Sequence, residues 1–240
     1  MFENKKIVIF DMDGTLIDSV GMWNQVDQRL ICALGGNALS TAELQEQRDR
    51  ILRKFNKEVN PYWEYCNYLC EKYHATFSAD KIFELRYKVA ADFLVNTIDY
   101  KTGADRVVKK LKDAGLTLII ASTTRKANMD IYRTQNKNIM QKANLDHYFT
   151  KIFTKEDAKK IKPDPEIHFR ILRELHVSPE ECIIFEDSLV GMEAAQNADI
   201  DAAVIYDRYS DSEREQINRI ADYRFDNYDE LYKIVVKEFS

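Results

Sequence analysis

Apolar positions follow two rules along this chain. Unbroken aliphatic or β-branched runs stand at residues 6–11 (KIVIFD), 116–122 (LTLIIAS), 151–154 (KIFT), 181–187 (ECIIFED) and 202–206 (AAVIY). A strand with one wet face alternates apolar and polar residues, whereas an unbroken run marks a strand covered on both faces, as in a parallel sheet. Helical spacing fills the intervals. Over 104–114, Val107, Val108 and Leu111 share one face, and Gly115 stands where a helix ends on a left-handed residue. Over 165–175, Ile167, Ile171, Leu172 and Leu175 repeat at helical spacing, behind Asp164 as N-cap and Pro165 at the first helical position. Strands alternating with helices predict a doubly wound, mainly parallel, Rossmann-like α/β sheet.

Residues 17–97 contain no such run and show helical spacing alone. One helix starts near Ser19 and carries Trp23, Val26, Leu30 and Leu34. A second starts at Ser40, with Glu43 three residues on as a capping box. A third opens on Asn60 and Pro61 with Trp63, Cys66 and Cys70, and a fourth follows Ser78 with Ile82, Leu85, Val89 and Phe93. The expected organisation is an α/β core of residues 1–16 and 98–240, interrupted by a four-helix cap over 17–97. Ligands of open α/β sheets bind beyond the carboxyl ends of the strands, so an insertion leaving the first strand there would lie over the site as a lid.

Composition narrows the function classes. The chain has 240 residues, 45% hydrophobic and 31% charged, with a formal net charge of −5. That charge, with basic residues scattered, gives no general attraction to nucleic acid or an anionic membrane surface. No stretch approaches the about 18 apolar residues of a membrane span. The four cysteines fit a reducing compartment, and a cytoplasmic protein acting as a monomer or weak dimer is expected. Cys66 and Cys70 lie one helical turn apart and lack a second ligand pair for zinc. The four histidines fall at no expected strand end and receive no role.

The strand ends hold the chemistry. The first offers Asp11 and Asp13 followed by Gly14 and Thr15, the second Ser122 with Thr123 and Thr124, the stretch after the third Lys162, and the fourth Glu186 and Asp187. Carboxylates this crowded need a shared proton or a cation, and Mg²⁺ prefers oxygen ligands together with phosphate and water. Aspartate is a covalent nucleophile toward phosphorus, and the charge of a phosphoryl group in flight is stabilised by a metal, a lysine and hydroxyl or amide donors. One carboxylate can attack while the other protonates the leaving oxygen.

DMDGT at 11–15, the strand ending at Ser122, KPDP at 162–165 and FEDS at 185–188 with Gly191 resemble the four motifs of the haloacid dehalogenase superfamily, in its phosphatase and β-phosphoglucomutase-like branch. The resemblance implies Asp11 as nucleophile and Mg²⁺ ligand, Asp13 as general acid/base with its carbonyl on the metal, and Asp187 as a further ligand with Glu186 binding directly or through water. It implies Ser122 and Lys162 as the phosphate-holding pair, with Thr123 and Arg125 as substrate-side candidates. The expected function is Mg²⁺-dependent hydrolysis of a small phosphorylated metabolite through an aspartyl-phosphate. The alternatives are a phosphosugar mutase and, less favoured, a receiver-like phospho-aspartate signalling protein. Two departures stand out. Asn197-Ala198-Asp199 replaces the family's usual Ala-Gly helix end, and the stretch from Arg53 to Trp63, with Lys54 and Lys57, lacks the glycine of the mutases' cap loop. That stretch and the segment after Thr15 are the expected substrate readers.

Overall fold

The computed structural model describes residues 1–240. Six parallel strands form one sheet: β1 (Ile7–Phe10), β2 (Thr117–Ala121), β3 (Lys151–Phe153), β4 (Cys182–Glu186), β5 (Asp201–Ile205) and β6 (Tyr223–Phe225). Their order is β3-β2-β1-β4-β5-β6, so successive strands are added outward first on one side of β1 and then, from β4, on the other. This is the 3-2-1-4-5-6 doubly wound order and not the 2-1-3-4-5 order of receiver domains.

The unbroken runs are explained by burial on both faces. Val8, Phe10, Leu118, Ile120, Ile183, Phe185, Ala203 and Ile205 enter the larger hydrophobic cluster. Their neighbours Ile7, Ile9, Ile119, Ala121, Cys182, Ile184, Ala202 and Val204 enter a second cluster on the opposite face. The Phe10 and Phe185 rings stack with centroids 5.0 Å apart across β1 and β4. Full burial of each Val, Leu, Ile or Phe side chain among them contributes about 1.5–3 kcal/mol relative to exposure.

Between β1 and β2 lie α1 (Val20–Ala33), α2 (Thr41–Lys54), α3 (Pro61–Lys72), α4 (Ala79–Asn96) and α5 (Ala104–Asp113). The first four match the expected helices. The Ser40–Glu43 box forms in both directions, with Ser40 N donating to Glu43 Oε2 at 2.8 Å and Glu43 N to Ser40 Oγ at 3.3 Å. Asn60 Oδ1 accepts from Trp63 N, and Ser78 Oγ from Lys81 N. These helices share a cluster of their own that includes Leu30, Leu44, Ile51, Tyr65, Cys66 and Ile82.

The remaining helices are α6 (Lys126–Thr134), α7 (Lys137–Ala143), α8 (Leu145–Tyr148), α9 (Glu166–Leu175), α10 (Leu189–Asn197), α11 (Arg214–Ile220) and α12 (Tyr228–Glu238). Gly115 is left-handed at φ +85°, as its place after α5 predicts. Asp199 takes the same region at φ +58° after α10. That explains why glycine suits this helix end and how a short polar residue can replace it. One start differs from expectation. Pro165 is itself the N-cap of α9, so the helix begins at Glu166. Asp164 caps from one residue earlier, its Oδ1 accepting from Glu166 N at 3.1 Å.

Candidate active site

The strand register brings the four motifs together. Asp11 N donates to Phe185 O at 3.0 Å and Ser122 N to Phe153 O at 3.0 Å, so pairing continues past the strand ends and aligns β1, β2, β3 and β4 at their carboxyl edge. Asp11, Glu186 and Asp187 are buried there, with one carboxylate oxygen of each within 4.8 Å of the others. Lys162 is the single ammonium among them. Its Nζ donates to Asp11 Oδ1 at 2.6 Å, to Glu186 Oε1 at 2.5 Å and to Ala121 O at 2.9 Å.

Three buried acids against one lysine leave the cluster short of positive charge. Burial, reinforced by repulsion from Glu186 and Asp13 and only partly offset by Lys162, pushes Asp11 up to about 8. Burial likewise raises Asp187 well above the ordinary carboxylate range, with Glu186 and Asp11 adding to it. Burial works against the charge of Lys162, but Asp11 and Glu186 outweigh it and hold the ammonium protonated. An all-oxygen donor set that must otherwise keep a proton fits a hard divalent cation.

Short residues let these groups approach. A Cβ on Gly191, in the first turn of α10, would collide with the Glu186 carboxylate, and one on Gly14 would collide with that of Asp187. Thr15 Oγ1 donates to Asp187 Oδ1 at 2.8 Å, orienting it. Lys101 Nζ donates to Gly14 O at 2.6 Å and to Asp207 Oδ2 at 2.8 Å, pinning the turn after β1 to the end of β5. Asp13 is held by two hydroxyls. Ser19 Oγ donates to its Oδ1 at 2.5 Å, and Thr124 Oγ1 donates to its Oδ2.

Asp11, Asp13, Asp187, Lys162, Thr123 and Arg125 all line one cavity of ≈ 200 Å³ between the strand ends and the helices α1, α2, α3 and α4. Ser122 and Glu186 lie just behind its wall. Ser122 is buried, with its Oγ accepting from Thr124 N at 3.0 Å. The helical wall carries Trp23, Arg48, Tyr62, Arg86 and Tyr87. This corrects the choice of substrate readers, because only Arg53 and Tyr62 of the stretch from Arg53 to Trp63 reach the cavity. Lys54 lies over the Phe55 ring, and Trp63 Nε1 donates to Asp80 Oδ1 at 2.7 Å, away from the site. Thr124 stands at the strand end the sequence marks but receives no role there, and Arg86 is missed because it belongs to no motif. His168 is fully buried with both ring nitrogens unpartnered, and burial drives it down to about 3, so it is neutral.

Residues 8–205 match the family model described as haloacid dehalogenase-like hydrolase. The chain belongs to that family. Over 198 residues it is 26% identical to the phosphorylated carbohydrates phosphatase of Thermotoga maritima, spanning 81% of this chain and 82% of the relative. It is 28% identical over 204 residues to the 6-phosphogluconate phosphatase of Escherichia coli, spanning 80% and 78%. A solved β-phosphoglucomutase from Clostridium difficile shares the fold, with a TM-score of 0.71, 17% identity and coverage of 98% and 96%. This haloacid dehalogenase-like chain is a phosphoric monoester hydrolase. No helix in it is long and apolar enough to cross a membrane.

Proposed function

We propose that the protein is a Mg²⁺-dependent phosphatase that hydrolyses a small phosphorylated carbohydrate through an aspartyl-phosphate on Asp11. The observation that carries this reading is the Asp11 carboxylate, buried at the end of β1, bonded to Lys162 and facing the cavity beside Asp187. The curated phosphatase relatives support the reaction, and their names support the carbohydrate class.

Asp11, Asp187 and the Asp13 carbonyl would hold the ion, with Glu186 behind them. The bound cation would cancel the repulsion between these acids and a phosphate dianion. An Asp11 oxygen attacks phosphorus. With a cation sharing Asp11 and Asp187, Lys162 would be released to stabilise the phosphoryl oxygens, together with the hydroxyls of Ser122 and Thr123. Asp13 gives a proton to the leaving oxygen and takes one back from the water that hydrolyses the aspartyl-phosphate. Ser19 and Thr124 keep its carboxylate from rotating. Residues 17–97 serve as the cap that excludes bulk water.

Brief exposure to a labelled substrate, an acid quench and peptide mapping test this reading. Label on the peptide containing Asp11, absent in Asp11→Asn, is expected. Phosphate release undiminished by EDTA, or by Asp11→Asn, would sink it. A mutase would use the same phosphorylated aspartate but pass the group to a second sugar hydroxyl. Measuring released phosphate against isomer formation separates the two.

A further inference from the structure

The chain leaves the sheet for α1 and returns after α4 along one narrow ribbon. Gly14 N donates to Ile17 O at 2.9 Å, Asp18 N to Asp99 O at 3.1 Å and Lys101 N to Leu16 O at 2.8 Å. The Lys101 side chain then reaches back to the outgoing segment. Its Nζ donates to Gly14 O at 2.6 Å, to Tyr206 O at 2.9 Å and to Asp207 Oδ2 at 2.8 Å. An ammonium has three N–H groups, so none is left to meet a ligand. Lys101 does not line the cavity, and its side chain and that of Asp207 are only 17% and 5% exposed. Stability alone is a weak reason to bury such a pair, because packed apolar residues often serve as well.

The turn that Lys101 holds touches Asp187 twice. Thr15 Oγ1 donates to Asp187 Oδ1 at 2.8 Å, and Gly14, left-handed at φ +86°, packs against the same carboxylate with no room for a Cβ. The residue before Gly14 is Asp13, whose carbonyl is one of the proposed ion ligands. Thr15 O accepts from Tyr228 Oη at 3.0 Å, so two consecutive carbonyls of this turn are each fixed by a side chain from elsewhere in the fold. On its other side the Lys101 pair reaches the segment after β5. Asp207 Oδ1 accepts from Tyr209 N at 2.9 Å, at the start of a 3-10 turn over Arg208–Glu213 whose Tyr209, Ser210 and Glu213 line the cavity. Mg²⁺ demands near-ideal octahedral geometry and short bonds, whereas Ca²⁺ accepts more ligands at longer distances, so preference between them follows the rigidity of the ligand frame.

We infer that Lys101 is a positioning residue for the metal site, clamping the Gly14–Thr15 turn to the Tyr206–Asp207 segment and so fixing the Asp13 carbonyl and the Asp187 carboxylate at the spacing Mg²⁺ requires. This rests on the metal-dependent phosphatase reading and deepens it. The clamp and the bare charge act with opposite sign. As a charge alone, Lys101 repels a cation, so its removal tightens metal binding. As a clamp, its removal weakens binding and relaxes the preference for Mg²⁺ over Ca²⁺.

The experiment titrates Mg²⁺ and, separately, Ca²⁺ into the metal-free full chain and reads each dissociation constant from the rise in melting temperature. The variants are Lys101→Met and the double change Lys101→Met with Asp207→Asn, which removes both charges while leaving Tyr209 N an acceptor. Both should bind Mg²⁺ about tenfold or more weakly, with Ca²⁺ affected less, so that the Mg²⁺ to Ca²⁺ affinity ratio falls. Wild-type Mg²⁺ affinity in the double variant, or tighter binding in Lys101→Met, overturns the inference and leaves the phosphatase reading standing. So does an equal loss for both ions, which a general loosening of the fold would produce. A wild-type protein whose melting temperature responds to neither ion, and whose phosphate release survives EDTA, overturns that reading and the inference with it. If neither methionine variant folds, Lys101→Arg decides. It keeps the charge but not three N–H groups converging from one nitrogen, so the affinity ratio should fall by a smaller factor, and a wild-type ratio overturns the clamp.

Discussion

The two walls of the cavity solve opposite problems with the same device. On the strand-end side, Asp11, Glu186 and Asp187 crowd around one lysine, and burial raises two of the acids far from their ordinary range. On the helical side, Arg48 and Arg86 crowd around one aspartate. The first wall lacks a cation, whereas on the second Asp49 stands 3.9 Å from Arg48 as a further carboxylate. The difference lies in what holds the charges. Asp11 and Asp187 leave strands whose register fixes them in place, while Asp27, Arg48 and Arg86 come from three helices and keep those helices together. Charge shortage near the sheet fits a cation bound there, whereas the buried charges on the helices serve to hold three helices together.

Asp11→Asn tests that contrast most severely. Turnover of every ester should fall by about a thousandfold or more, because the proposed nucleophile is lost whatever the leaving group. The same change removes one of three crowded acids, so the metal-free variant should melt higher than metal-free wild type by scanning calorimetry. A lower melting temperature would mean that the Lys162 contact outweighs the repulsion. On the opposite wall, Asp27→Leu should destabilise the fold by about 3–5 kcal/mol in urea titration, because it strands two buried guanidinium groups. A loss within experimental error would show those arginines already compensated by the aromatic rings.

The strand-end wall also sets a pH dependence. The folded state of the metal-free protein holds the Asp11 proton up to about pH 8, whereas the unfolded chain releases it near 3.8, the ordinary aspartate value. Between those limits the folded state binds more protons, so its stability falls as pH rises. In EDTA the melting temperature should be lower at about pH 8 than at about pH 6. Added Mg²⁺ should raise it, and by more at the higher pH, because the carboxylates must be deprotonated to bind. Equal melting temperatures in EDTA at both values would refute the charge shortage. The smallest effect is expected from Lys54→Ala and Trp63→Phe, which lie outside the cavity. Each should alter kcat/KM across a phosphate panel by less than about twofold. A larger, substrate-selective change would restore that stretch as a reader.

Much of this protein is legible locally. Apolar runs covered on both faces identify five strands, and capping residues such as Ser40 with Glu43, Asn60 and Ser78 mark helix starts, because these signals depend on neighbours within one turn or one strand. β6 escapes because its three residues bury only Phe225. The helices between β2 and β3 escape because they are short. The chemical motifs are legible for a related reason: in a parallel sheet, a strand's carboxyl end is a position along the sequence, so its last residues announce where they will meet. Tertiary structure alone decides the substrate wall. Asp27 and Arg86 lie 59 residues apart on separate helices and Asp13 lies 111 residues from Thr124, and no periodicity reports which helix faces meet across a cavity. Basic residues near a loop looked like readers. The packing of four helices instead turned Lys54 and Trp63 away and buried two arginines from helix interiors beside the site, because a guanidinium can be buried only where a carboxylate and aromatic faces converge to receive it.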